Sequence, residues 1–220
     1  GTTPAPTIVI ACTFDPLGLT GPLTTWLKKL VGFRCTVHWV GYGMVFEAVH
    51  NQRSAWGTNR NGLNVLLLRW TDLDRCNAGH TAAGLVEALR HSSAARIGST
   101  LVLIPPCTVT KVDEADDACT VALRSIRGLT LFDADALRSA LDTASGECWL
   151  SPWLDRVAHA PYSPVANSLF ASLICCELVR VVAPKRKCIC LDCDNTLWGG
   201  AVGEVGAGGV ELSEAYLSVQ

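Results

Sequence analysis

The string Asp192-Cys193-Asp194-Asn195-Thr196-Leu197-Trp198-Gly199-Gly200 follows the apolar run Lys187-Cys188-Ile189-Cys190-Leu191 without a break. The run reads as a buried strand ending at Asp192. Two carboxylates two residues apart, where the chain turns through Asn-Thr, can both face one small polar pocket. In phosphoryl transfer the first can attack phosphorus as a nucleophile. The second, kept protonated, can hand its proton to the leaving oxygen and later activate water. A Mg²⁺ held by carboxylate and backbone oxygens would neutralise the phosphate and let one anion approach another. Asp-x-Asp-Asn alone is also an ordinary polar turn, in which Asp and Asn serve their own backbone hydrogen bonds. The preceding strand and the Trp-Gly-Gly extension favour chemistry.

Other reactive residues form weaker patterns. Cys190-x-x-Cys193 has the form of a redox or zinc motif, with Cys188 close by. Zinc needs four ligands, and no second pair stands at a suitable spacing; packing of Cys188, Cys190 and Cys193 in a core is the favoured reading. His38, His50, His80 and His91 are scattered without ligand spacing and receive no role.

The elements that position these residues come from a chain of 220 residues, 49% hydrophobic and 17% charged, enough for one compact domain and a piece of a second. Its net charge of −2, with no basic run beyond Lys185-Arg186-Lys187, excludes nucleic acid as a main partner. Apolar segments such as 8–12 and 101–104 are far shorter than the roughly 18 to 20 residues of a membrane span, so no membrane partner is expected. The chain begins with Gly1, and a fragment of a longer protein is the simpler reading of that start. Eleven cysteines cannot all pair within one chain. Most lie in apolar runs, among them Cys12, Cys35, Cys175, Cys176, Cys188 and Cys190, where a thiol behaves as a small buried hydrophobe; a reducing, cytoplasmic location is expected.

Strands are expected at 7–12, 35–40, 64–70, 99–104 and 129–132, with helical spacing at 23–31, 79–92, 113–127 and 133–142. The near-continuous apolar runs at 64–70 and 99–104 suit strands covered on both faces of a parallel sheet. The alternation predicts a three-layer α/β/α domain with a mainly parallel sheet, of the SGNH or flavodoxin-like kind, with functional residues in loops at strand C-terminal ends. Residues 14–21 and Pro105-Pro106-Cys107 take such places. The stretch 145–164, rich in Trp, Pro and turn formers, precedes an apolar helix over 164–182. Pro184 then breaks the pattern, giving a first domain over 1–184 and a second segment over 185–220.

The string CICLDCDNTLWGGAVGEVG resembles the first motif of the haloacid-dehalogenase (HAD) superfamily, subfamily IIIC, as it occurs in FkbH-like proteins. His159-Ala160-Pro161-Tyr162-Ser163-Pro164 resembles the His-x-Pro-Tyr-Thr-Pro segment that precedes the HAD strand there. Residues 42–46 and 59–65 are similar to that family's N-terminal region. The resemblance implies an SGNH-like domain followed by the first strand and loop of a HAD-type Rossmann-like domain. It also implies an activity: dephosphorylation of a phosphorylated three-carbon (phosphoglyceryl) donor and loading of glyceryl on the phosphopantetheine arm of an acyl carrier protein, in polyketide or nonribosomal peptide synthesis. On the matching positions Asp192 would be nucleophile and Mg²⁺ ligand. Asp194 would be the acid/base and lend the metal its backbone carbonyl, and Asn195 and Thr196 would shape the phosphate loop. The Ser or Thr, the Lys and the acidic pair that complete such sites have no counterpart in these 220 residues, so no phosphatase activity is expected of them alone. Val205 follows Glu204 where the family has an acidic residue.

SGNH hydrolases carry a nucleophilic Ser just after the first strand and an Asp three residues before a late His. This chain reads Ala11-Cys12-Thr13-Phe14 at the first place and Arg156 three before His159. Cys12 or Thr13 with His159 could form a nucleophile and base pair. A buried structural Cys and a His bonded to backbone are the favoured reading, making the first domain a degenerate hydrolase fold. A noncatalytic docking module of a multidomain biosynthetic protein is the alternative function for these residues.

Overall fold

The computed structural model describes residues 5–73, 81–94, 99–107, 114–142, 149–183 and 190–218. The chain divides into two compact units, Gly1–Ala183 and Pro184–Gln220.

The first unit is a three-layer α/β/α fold around a five-stranded, all-parallel sheet. β1 (Thr7–Cys12), β2 (Thr36–Trp39), β3 (Gly62–Leu67), β4 (Ser99–Leu103) and β5 (Leu129–Phe132) stand in the order β2-β1-β3-β4-β5. β3 is buried along its whole length, while the edge strands β2 and β5 are only partly covered. β1 and β3 pair from Thr7 opposite Gly62 to Cys12 opposite Leu67. A side chain at Gly62 would put a Cβ 2.0 Å from the Thr7 carbonyl oxygen, at φ +152, so only glycine lets the strands meet there.

Alternation along the strands divides the core. Ile8, Ile10, Leu63 and Val65 face α1 (Thr20–Leu30) and the later, long apolar helix. Val9, Leu66, Leu68 and Val102 face α2 (Val45–His50), α3 (Ala55–Thr58), α4 (Ala82–Ala94) and α5 (Glu114–Arg124). α6 (Ala134–Asp142) follows β5, and α7 (Pro152–Ala158) forms within the stretch read from sequence as turn-rich. α8 (Pro164–Val182) starts on a cap in which the Ser163 hydroxyl accepts from the Ala166 N–H at 3.2 Å, with Pro at the first helical position.

With 19 residues α8 is long and apolar enough to cross a membrane, a length the expectation of short apolar runs passed over. Here it is a core helix: Phe170, Ala171, Ile174 and Cys175 have no exposed surface, and it packs along α1, β3 and β4.

Two boundaries and one thiol's exposure differ from expectation. β3 stops at Leu67, so Arg69, Trp70, Thr71 and Asp72 belong to a loop and a 3-10 turn (Trp70–Asp72) at the C-terminal end of the strand. α1 begins at Thr20 and not at 23. Cys176 is exposed, because it lies on the outward face of α8, one residue beyond buried Cys175.

In the second unit, residues 187–189 of the expected strand lie outside the described residues, and Cys190 and Leu191 are in no strand. α9 (Val202–Val205) and α10 (Glu214–Leu217) are single turns, and Gly199 bridges Glu211. No described residue of this unit is buried; Cys190 and Cys193 are exposed, which overturns their reading as core packing.

Candidate functional site

In the second unit the chain from Asp192 to Val202 closes into a tight loop. The Thr196 and Leu197 amides donate to the Cys193 carbonyl at 3.2 and 2.9 Å. Asn195 takes a left-handed backbone (φ 58), which asparagine tolerates better than most residues, and its Oδ1 accepts from the Gly200 N–H at 3.0 Å. Asp194 Oδ1 accepts two bonds, from the Trp198 indole N–H at 3.0 Å and the Val202 amide at 3.2 Å. Asp192 is exposed, and its Oδ1 accepts from the Cys193 amide at 2.9 Å. The sequence placed Asp192 and Asp194 around one pocket; in the described loop their carboxylates share no hydrogen-bond donor.

The oxygens of Asp192 and Asp194 are of the hard type that Mg²⁺ prefers, and one or two carboxylates with waters and phosphate oxygens suffice for that ion. They fit Mg²⁺ in kind. Among the described residues no group of three or more His, Cys, Asp or Glu side chains could hold a metal, so the donor set is partial.

In the first unit a second constellation gathers where the strand order reverses between β1 and β3, the place where open α/β sheets bind ligands. Arg69 is its hub. Its Nε donates to Asp72 at 2.7 Å, and its two terminal nitrogens fork onto Asp155 of α7 at 2.8 and 3.0 Å. Burial pulls the guanidinium down, but the bonds and charges of Asp155 and Asp72 more than reverse this, and Arg69 stays charged.

His159 caps α7 in the left-handed conformation (φ 50), a place usually given to Gly or Asn. Its amide donates to the Asp155 carbonyl at 3.0 Å and its own carbonyl accepts from the Asp15 amide at 2.8 Å. Its ring, however, meets side chains and not backbone, which corrects the reading from sequence. Nε2 lies 2.7 Å from an Arg69 terminal nitrogen and 3.1 Å from Asp72 Oδ1, and Nδ1 is hydrogen-bonded to the Tyr42 hydroxyl. The acidic partner that is missing three residues before His159 is supplied by Asp72, from the end of another strand. Asp15, Tyr42, Arg156, Val157 and His159 line an open cleft of about 460 Å³.

Thr13 and His159 lie at the same sheet edge, yet Arg69 stands between them. The Thr13 hydroxyl accepts from the Arg69 amide at 2.9 Å and donates to the Arg69 carbonyl at 3.4 Å, so it is committed in both directions. Cys12 is buried, and burial, with the Asp15 charge, pushes its thiol far above the usual range, leaving no thiolate to attack. Neither Cys12 nor Thr13 forms the nucleophile and base pair weighed from sequence.

Sequence reading missed Arg69, Asp72 and Asp155 and gave Tyr42 no role. The run Asn64-Val65-Leu66-Leu67-Leu68-Arg69-Trp70 was taken as one strand, which hid Arg69 inside it. A charged residue closing an apolar parallel strand was the signal available.

No protein-family model matches the sequence, and no curated protein is similar to it. The fold is similar to that of the N-terminal part of the protein BF1531 from Bacteroides fragilis, a structure containing a phosphatase domain and complexed with Mg. The TM-score is 0.61 at 12% identity, over 99% of this chain and 64% of the other, so the chain spans under two thirds of the N-terminal part whose structure it matches.

Proposed function

We propose that residues 185–220 are the opening of a HAD-type phosphoryl-transfer domain and that residues 1–184 are an SGNH-like module attached to it. The observation that carries this reading is the loop itself: an exposed Asp192 carboxylate two residues before a carboxylate fixed by two N–H donors. The similarity in fold to a structure that contains a phosphatase domain and Mg supports it.

In this reading the Asp192 carboxylate attacks phosphorus. Both bonds to Asp194 end on Oδ1, so when Asp194 is protonated its proton sits on Oδ2, from which it is given to the leaving oxygen. Mg²⁺, when bound by the Asp192 carboxylate and the Asp194 carbonyl, supplies charge neutralisation at the phosphate. The finer proposal is that the whole protein, in the cytoplasm, takes a phosphoglyceryl donor and loads glyceryl on an acyl carrier protein; it rests on the resemblance of the Asp192 string and of 159–164 to FkbH-like proteins. A second reading, a docking module without catalysis, is favoured for these residues by themselves, because the described residues hold only part of a metal site.

Mn²⁺ can stand in for Mg²⁺ as a paramagnetic probe. It should broaden the amide signals of Asp192 to Thr196 before any others, and Asp192→Asn should remove the effect. Broadening that starts elsewhere, or survives Asp192→Asn, would overturn the metal-loop assignment.

A further inference from the structure

We propose that the outer edge of β2, with the last turn of α1 and the loops at either end of the strand, docks an extended acidic peptide of a partner protein, which joins the sheet as a further strand.

β2 ends the sheet and is bonded to β1 on one side only. The Thr36 amide donates to the Pro6 carbonyl at 2.9 Å and the Val40 amide to the Ile10 carbonyl at 2.8 Å, so Thr36, His38 and Val40 turn their main chain toward β1. Main-chain groups of successive residues in a strand point to opposite sides, so Val37 and Trp39 turn their N–H and C=O outward. Among the described residues nothing pairs with those groups. Exposed apolar side chains stand at both ends of this edge, Leu30 and Phe33 before the strand and Tyr42 and Met44 after it.

Charge selects the occupant. Residues 16–46 contain no Asp or Glu but carry Lys28, Lys29 and Arg34, all exposed, in a chain whose net charge is −2. The two lysines also suit the C-terminal end of the α1 dipole, but Arg34 lies beyond the helix, in the loop into β2, and the dipole does not account for it. A second copy of this chain would bring the same cations to the edge with no acid to meet them. A membrane surface has nothing to bond the Val37 and Trp39 main chain. An extended peptide with acidic side chains meets both demands: its main chain pairs with β2, and its carboxylates face Lys28, Lys29 and Arg34.

Amide exchange read residue by residue on the 220-residue chain tests this, with an octapeptide of alternating Val and Asp as the probe. Without peptide, Val37 and Trp39 should exchange quickly and His38 and Val40 slowly. Saturating peptide should slow Val37 and Trp39 about tenfold or more and leave His38 and Val40 near their starting rates. The same peptide with Lys in place of Asp should have no such effect, and Lys28→Glu combined with Lys29→Glu should weaken binding of the Asp peptide about tenfold. Unchanged exchange at Val37 and Trp39 with the Asp peptide, or equal effects of the two peptides, would overturn the proposal. So would protection of both amides that grows with protein concentration alone, as a second copy would give, or displacement of the peptide by phosphatidylserine vesicles, as a lipid-binding face would give. If the double charge reversal disturbs the fold, the comparison of the two peptides on the native chain decides.

Discussion

His159 Nε2 lies 3.1 Å from Asp72 Oδ1 although 87 residues separate them in the chain. The contact exists because β3 and α7 both end at one edge of the sheet, and Arg69 ties it down by bonding Asp72, Asp155 and His159 together.

Arg69→Met should be the most damaging change at that edge. It leaves Asp72 buried without its closest donor, and breaking a buried pair from one side costs about 3–5 kcal/mol. Urea unfolding of the variant should show a loss of this size. A change below about 1 kcal/mol would mean that the hub is not what holds the edge together.

Thiol reactivity should follow burial and not position in the sequence. Burial raises the Cys12 thiol far above its usual range, and it pushes Cys175 up to about 12, with the neighbouring Cys176 and Cys35 adding to the rise. Cys176, Cys190 and Cys193 are exposed. In the native chain at about pH 8 an aromatic disulfide reagent should modify the last three and spare Cys12 and Cys175. Modification of Cys12 ahead of Cys176 would contradict this.

Glu177 should set part of the acid limb of stability. Burial pushes its carboxyl up, but hydrogen bonds from Arg180 and Thr130 and the Arg180 charge outweigh this, so it lies below the usual 4.5. A carboxylate depressed in the folded state contributes stability that is complete above its unfolded pKa of about 4.3 and lost as pH falls through the lower folded value. Glu177→Gln should flatten the loss of stability below about pH 4.5; an unchanged acid limb would remove Glu177 from the account.

Amides of residues 190–209 should exchange orders of magnitude faster than those of Val65 to Leu67. The former belong to a unit with no buried described residue, the latter to a strand buried along its length. Comparable protection would show that the loop around Asp192 is held far more firmly than its burial implies.

Aryl phosphate turnover by the 220-residue chain with Mg²⁺ should be unaffected by Asp192→Asn. The loop offers a nucleophile, but the described residues supply no third metal-holding side chain to gather the ion and the phosphate charge. Turnover that Asp192→Asn abolishes would show that the partial donor set is sufficient.

Most of the first unit was legible from periodicity. β1 and β4 fall on their apolar runs, because a central parallel strand must be apolar on both faces, and the edge strands β2 and β5 lie within the expected 35–40 and 129–132. The end of β3 was not legible: Arg69 and Trp70 carry long side chains that read as strand, while Thr13 and Asp155, which accept the hydrogen bonds that hold Arg69 in the loop, come from elsewhere in the chain. α7 was missed for a related reason, since Pro and Trp in 149–153 look like turn formers until the Pro occupies the first helical position.

The sequence by itself determined where the strands of the first unit lie, except for the end of β3, the layered α/β class and the string Asp192 to Thr196, because each depends on neighbours within a few residues: strand periodicity, a turn, a cap. Tertiary structure alone decided that Cys12 and Thr13 are out of use and that His159 has an acid partner in Asp72 and a hydroxyl in Tyr42. Those relations arise when parallel strands bring their C-terminal ends side by side, and a hydrogen bond reaching only about 3 Å is fixed by that juxtaposition, which no local pattern encodes.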